Sequence, residues 1–447
     1  MNRTFLVPLA TSLLVAGLQA PLRADGAADQ VKGQLDQLYG VLAATLTGKG
    51  LDNKTLLILA SPGKPVSQDF DDTNDADAEI LNQLADVVPK ANGSFVPNGE
   101  WTYSGIYKMI MDNHQTLGQS ALTKAEQDRL DQAQAWMAPD SDTMDKYTKY
   151  QTAYLDLLGQ KEQAEQGGKT APASLLGKVN TARGQFVGWQ NTFDKHANTI
   201  RELTAKGGGA MWTGFANKFE NGLRGSTYKA SYFPAAKTWN NASDTSWLKV
   251  TVRGDDKASD TSSSSTSITA AIGYRKGAID IGGDFSKNDF NADAALNDKS
   301  YQISFEVKRV SIPRPWLDYS VFYNRAWSLP ANVYRGSFSL GTAKDNATNE
   351  VPMPTYVTTF FLVRNLVIYS SFFTSRMNDQ MHSMGIHAHA EVGPFSISGG
   401  YDKRDTGHHD DSHFSDGKVE CPGVQIIGYM ASIPPKFPDP DPALAKK

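Results

Sequence analysis

Six of the eight histidines fall in one stretch near the C-terminus: His382, His387, His389, His408, His409 and His413. His387 and His389 are two residues apart, so on a β-strand both imidazoles emerge from one face beside Glu391. Neutral imidazole and carboxylate suit Zn or Cu. The run His408-His409-Asp410-Asp411-Ser412-His413 could fold back to supply a further ligand. The candidate metal ligands are therefore His387, His389, Glu391, His408, His409 and His413, with Zn or Cu as the candidate cofactor. The same cluster has a second chemistry. Histidines gain charge between pH 5 and 8 and can bias a conformational change. No known ligand motif is complete, so the competing reading is a solvated strand face followed by a polar loop.

Other chemical signatures fail on inspection. Gly168-Lys169-Thr170 lacks the earlier glycine of a phosphate loop, because position 163 is Gln163, and it sits between helices rather than after a strand. No serine occupies a Gly-x-Ser-x-Gly elbow. Cys421 is the single cysteine, so no internal disulfide closes, and beside Pro422 it reads as a small apolar residue entering a strand. Catalytic groups need not be close in sequence, so an enzyme with an unrecognised site stands as the third functional reading, behind two non-enzymatic ones.

The most specific non-enzymatic signal is a pair of amphipathic hairpins, 266–285 and 383–401. In the first, Ile268, Ile272, Tyr274, Ile279, Ile281 and Phe285 share apolar faces; in the second, Met384, Ile386, Val392, Phe395, Ile397 and Tyr401 do. Aligning Ile281 with Ile397 also aligns Ile279 with Phe395 and Phe285 with Tyr401, as in an internal repeat. A bilayer-crossing strand needs about 9–11 residues with one apolar and one polar face. These strands sit at the lower edge of that range, which makes those twelve residues candidate membrane contacts. Hairpins from several copies could close a barrel and remove its edges. An ordinary antiparallel sandwich with one face wet produces the same alternation.

The segments that must position these groups divide at a glycine run. The N-terminus reads as a secretory signal: Arg3, an apolar stretch from Phe5 to Leu18, and Ala24 at the cleavage site. Residues 1–24 are then removed, and the chain is exported to the periplasm or the extracellular space. Residues 25–206 read as a helical domain. Ala27 to Leu46 and Asp77 to Val88 have helical spacing. Thr123-Lys124-Ala125-Glu126 is a capping box opening a helix to about Met137. A long helical hairpin covers 141–206, with Val179, Ala182, Phe186, Trp189, Phe193, Ile200 and Leu203 on one stripe. Gly207-Gly208-Gly209 opens a linker, 207–214. Period-2 alternation then marks strands at Trp247–Val252, Tyr301–Val307, Tyr356–Ser370 and Val424–Met430 within an antiparallel β domain, 215–433. Pro313 and Pro315 bracket Arg314 and interrupt the sheet ahead of Trp316, Tyr319, Phe322, Tyr323 and Trp327, an aromatic group expected to plug one end of it. A proline-rich tail, 434–447, closes the chain.

Three runs resemble motifs that recur in a family of uncharacterised microbial proteins: Val310-Ser311-Ile312-Pro313-Arg314-Pro315-Trp316-Leu317-Asp318, Gly393-Pro394-Phe395-Ser396-Ile397-Ser398-Gly399, and Pro422-Gly423-Val424-Gln425-Ile426-Ile427-Gly428-Tyr429. The resemblance covers the β half alone and implies neither a function nor site residues.

The expectation is an α+β protein, with a helical N-terminal domain and a sandwich-like antiparallel β domain. It is an exported, non-enzymatic cell-envelope or extracellular interaction protein, inserting in membranes in its most specific form and binding metal in the rival one. Its candidate partners are membrane lipid, an envelope protein and further copies of itself. The net charge of −4 and the lack of a basic stripe speak against nucleic acid.

Overall fold

A strand of fourteen residues, Tyr356–Tyr369, organises the tertiary structure. The computed structural model describes residues 40, 42, 44–46, 54–66, 75–90, 97–117, 122–138, 141–165, 169–204, 206, 211–254, 301–371, 391–397 and 412–444. Among them the class is α+β, with antiparallel pairing throughout the main sheet. We label the strands β1 (Thr55–Pro65), β2 (Leu248–Arg253), β3 (Gln302–Ser311), β4 (Tyr356–Tyr369), β5 (Glu391–Val392), β6 (Phe395–Ser396), β7 (His413–Ser415), β8 (Lys418–Cys421) and β9 (Gln425–Ser432). The helices are α1 (Asp75–Asp86), α2 (Tyr103–Asn113), α3 (Lys124–Met137), α4 (Asp142–Glu165), α5 (Ala173–Thr204) and α6 (Met211–Asn221).

One edge of β4 pairs with β3, which pairs outward with β2. Its other edge pairs first with β9 and then, beyond Arg364, with β8. β1 adds outside β9 and β7 outside β8. The apolar stretch at Leu56–Leu59 thus joins the C-terminal strands although it precedes the glycine run by a long stretch of helices. Alternation explains its burial: Leu56, Ile58 and Ala60 enter one core, Leu57 and Leu59 the other. β4 is nearly unbroken apolar sequence because helices and loops cover both faces of the sheet; Phe361 and Val363 point one way, Phe360 and Leu362 the other. The β5–β6 hairpin packs on the first face, where Phe395 meets Phe305 at 5.3 Å.

The helices begin where local chemistry directs. Thr123 and Glu126 form the reciprocal capping box at the start of α3. α3, α4 and α5 pack through an aromatic ladder: Tyr150 stacks on Trp189 at 5.8 Å, Tyr147 on Phe193 at 5.3 Å, and Trp136 on Trp189 at 6.1 Å. α4 touches the sheet near its middle, where Leu155 is buried and a side chain in place of Gly159 would meet the Thr45 carbonyl at 2.5 Å. Trp316, Phe322 and Trp327 lie in a third core with α2, α5 and α6. The aromatic group therefore fastens the helices to the sheet as well as closing its end. The proline-rich segment is extended but docked: Phe437 is fully buried, and its backbone bonds Phe338 and Ser339.

Candidate functional site

The apolar face of β3 changes character along its length. Ile303, Phe305 and Val307 are core; Arg309 and Ser311, next in the same alternation, continue the face with polar groups. Ser311 lies opposite Thr359 of β4, and Thr359 opposite Met430 of β9, with Ser432 next on that strand's face. Here the helical pair α4–α5 stands off the sheet and leaves a cavity of about 1440 Å³. Its floor is Arg309, Ser311, Thr359, Met430 and Ser432; Tyr147, Phe186 and Phe193 roof it. Tyr319, Phe322, Tyr323 and Tyr356 form the end wall, and Phe233 and Trp247 stand at the side.

Two of the cations that line this cavity, Arg309 and Lys308, are paired with carboxylates. Arg309 forms an ion pair with Asp156 of α4 and donates to the Leu46 and Leu155 carbonyls at 2.5 and 3.1 Å. Burial pulls the Arg309 pKa down to about 9, which leaves the guanidinium charged at neutral pH. Lys308 pairs with Asp244, holding that carboxyl well below the usual range. Behind the lining, Arg364 bonds Glu306 at 2.7 Å and lies 4.4 Å from the ring centroid of Trp247, which does line the cavity. By contrast Phe233 is 71% exposed at the cavity's edge. Its backbone is fixed by two hydrogen bonds to Ser311, so an apolar ring is held toward solvent.

The end wall is backed by Arg314, which is 1% exposed. The guanidinium donates to the Ala85 carbonyl through two nitrogens at 3.0 and 2.5 Å, to the Val357 carbonyl at 2.6 Å and to the Ile312 carbonyl at 3.3 Å. Tyr103 and Tyr356 present their rings at 4.7 and 5.0 Å. Burial opposes the charge, but Tyr356, Tyr103 and Tyr319 outweigh it and leave the Arg314 pKa raised. Burial also drives the Tyr319 and Tyr356 phenols upward, so both stay neutral.

The sequence-derived candidates lie elsewhere. His387, His389, His408 and His409 are outside the described residues. Glu391 pairs with Ser396 in the small hairpin, and His413 pairs with Glu420 at the edge of the main sheet. Among the described residues no group of three His, Cys, Asp or Glu side chains is arranged to hold a metal. Of the candidate membrane contacts, Val392, Phe395 and Ile397 are described, and all three are fully buried in the sheet's core. Ile268, Ile272, Tyr274, Ile279, Ile281, Phe285, Met384, Ile386 and Tyr401 are outside the described residues. No described helix is long and apolar enough to cross a membrane. The stripe of α5 is split: Val179, Ala182, Ile200 and Leu203 are buried, whereas Phe186 and Phe193 face the cavity. Sequence reading missed the floor, and it gave Tyr319, Phe322 and Tyr323 of the end wall only as an aromatic plug at one end of the sheet, with no part in a site. The available signal was the shift from apolar to polar at Arg309 and Ser311 within one strand face.

Comparison with family models, with curated proteins and with solved structures returns no match to this chain.

Proposed function

We propose that the chain is an exported, non-enzymatic binding protein of the cell envelope or extracellular space that takes an amphipathic small molecule into the cavity between α4–α5 and the sheet. The observation that carries this reading is the cavity itself. Its size exceeds the roughly 300–1,000 Å³ usual for small-molecule pockets, and it joins aromatic walls to a few converging hydroxyls. Self-paired charges in the floor favour an apolar body over a highly charged one. The non-catalytic part of the proposal rests on the same groups: Lys308 and Arg309 are engaged with carboxylates, and the wall tyrosines are pushed away from proton transfer near neutrality.

Titration with Nile red, an uncharged environment-sensitive dye, tests the proposal. The expected result is saturable enhancement at one dye per chain, weakened severalfold in Phe233→Asp, whose exposed site tolerates the charge. Non-saturable enhancement unaffected by this substitution would refute it.

One observation favours a second reading, membrane insertion. Arg253, Gln302, Tyr369 and Lys418 form a continuous row across the end of the sheet remote from the cavity. The segments holding both sequence-predicted hairpins join the described strands at that row. Insertion would require Val392, Phe395 and Ile397 to leave the core, at about 1.5–3 kcal/mol for each side chain. Liposome leakage between pH 5 and 7.5 tests it; no leakage and no oligomer on any lipid removes it.

A further inference from the structure

The outer edge of β3 is paired toward both ends and unpaired between them. In an antiparallel ladder, alternate residues of a strand turn their N–H and C=O toward the same neighbour. The Tyr301 carbonyl accepts from Gly254 at 2.9 Å, and Ser311 exchanges hydrogen bonds with Phe233 at 2.9 and 3.0 Å, so the odd-numbered residues of β3 face outward. Ile303, Phe305 and Val307 have Val252, Val250 and Leu248 of β2 opposite them. Arg309, the next in the series, has no such residue. Among the described residues none pairs with its main-chain N–H or C=O, although Arg309 is only 8% exposed and buried main-chain groups need partners.

The fold builds this break. The chain leaves the outer row after Phe233 and rejoins it at Leu248, and residues 234–247 loop out of it. Ser246, which the register would set opposite Arg309, gives its N–H to the Asp244 carboxylate at 2.8 Å. Asp244 pairs with Lys308, and Arg364 donates to the Asn241 and Asp244 carbonyls at 2.8 and 3.0 Å. The loop is thus tied down by its own bonds and cannot slide in to close the row. From Val307 to Ser311 the edge runs about 13 Å, at roughly 3.3 Å per residue, which admits a segment of about three residues.

Arg309 and both banks of the break, Trp247 and Phe233, line the cavity. Two side-chain donors of the same lining, the Arg309 Nε and the Trp247 Nε1, are buried without a hydrogen-bond partner among the described residues. A residue paired with Arg309 would set its side chain on the same face of the sheet, where Tyr147, Phe186 and Phe193 roof the cavity.

We propose that the ligand of the cavity is a short apolar peptide, one residue of which completes the outer row. Its C=O accepts from the Arg309 N–H, its N–H donates to the Arg309 C=O, and its side chain lies beneath α4 and α5. A peptide main chain carries the donor and the acceptor that the edge calls for, as in peptides that add a strand to a sheet, and its other carbonyls suit the spare donors. This rests on the cavity reading above and names the class of ligand.

Calorimetric titration of the full chain with the acetylated and amidated tripeptide alanyl-phenylalanyl-alanine tests it, beside two N-methylated forms. A methyl on the phenylalanine nitrogen removes the donor and meets the Arg309 carbonyl; one on the following alanine nitrogen points away from the edge. The expected result is that the parent peptide binds, displaces Nile red and slows hydrogen exchange at the Arg309 amide. The phenylalanine-methylated form binds at least tenfold more weakly, and the alanine-methylated form stays within threefold of the parent. Methylated forms within threefold of each other, or an Arg309 amide whose exchange the parent leaves unchanged, overturn the inference. Saturable binding of Nile red with no binding of the parent peptide overturns it too and leaves the cavity reading standing. Failure of both the dye and the peptide to bind overturns both.

Discussion

Replacing Arg314 by methionine removes a buried cation that ties three parts of the fold together. Its acceptors are the Ala85 carbonyl at the end of α1, the Ile312 carbonyl beside it and the Val357 carbonyl of β4. Methionine approximates the chain's bulk but supplies no donor. Three buried carbonyls then lose charge-assisted partners, each bond being worth about 1.5–3 kcal/mol. Two aromatic faces lose a cation at 4.7 and 5.0 Å, an interaction worth about 1–2 kcal/mol when desolvated. Against this stands relief from burying a guanidinium, which costs several kcal/mol. The net loss should be about 3–5 kcal/mol, as for other one-sided disruptions of buried charged networks. Arg314→Lys should recover less than half of it, because an ammonium cannot reach carbonyls on three sides. Urea unfolding followed by tryptophan fluorescence measures both variants, with far-ultraviolet circular dichroism as a second probe of a cooperative transition. A methionine variant within 1 kcal/mol of wild type would refute the reasoning, since the carbonyls would then have no need of the guanidinium.

Three further outcomes follow from local geometry. Cys421 is buried and its thiol is pushed up to about 12 by that burial, so the native protein should resist a thiol-reactive disulfide reagent at pH 7.5 and react stoichiometrically once unfolded in urea; fast native labelling would contradict this. Gly222→Ala drives a methyl into the Trp316 side chain and should cost about 1–3 kcal/mol, whereas Gly184→Ala in α5, with open space around it, should gain about 0.5–1 kcal/mol in chemical denaturation. Glu126 is held down to about 2 by Lys206 and by Thr123. Because its folded pKa is depressed, its contribution to stability is full above the unfolded value, near 4.3, and disappears as pH falls through about 2. The stability gap between wild type and Glu126→Gln, measured by thermal melting, should therefore be constant from pH 5 to 7 and close below pH 4; a gap unchanged at pH 2 would count against it.

Much of the local structure was legible in the sequence. The capping box at Thr123–Glu126, the strand Tyr356–Tyr369 and the helical pair after Asp142 announce themselves through spacing, because backbone hydrogen bonding and side-chain period are set by near neighbours. Other features depended on partners far along the chain. Leu56–Leu59 is apolar in any reading, yet its place in the sheet is decided by β9, which lies at the other end of the sequence. Phe437 sits among prolines that suggest a loose tail, but the site between Phe322 and Phe338 draws it in.

The candidate site shows the same division. The sequence by itself determined the alternation of β3 and the stiff segment around Pro313 and Pro315, both of which are short-range properties. It also placed aromatic residues at helical intervals along α5. Only the tertiary structure decided that Arg314 would be enclosed by Ala85, Val357 and two tyrosine rings, and that Arg309 and Ser311 would floor a cavity under α4 and α5. A buried charge needs acceptors from every side, and no single stretch of chain can surround it. The packing of distant segments supplies those acceptors, and their positions cannot be read from residue order.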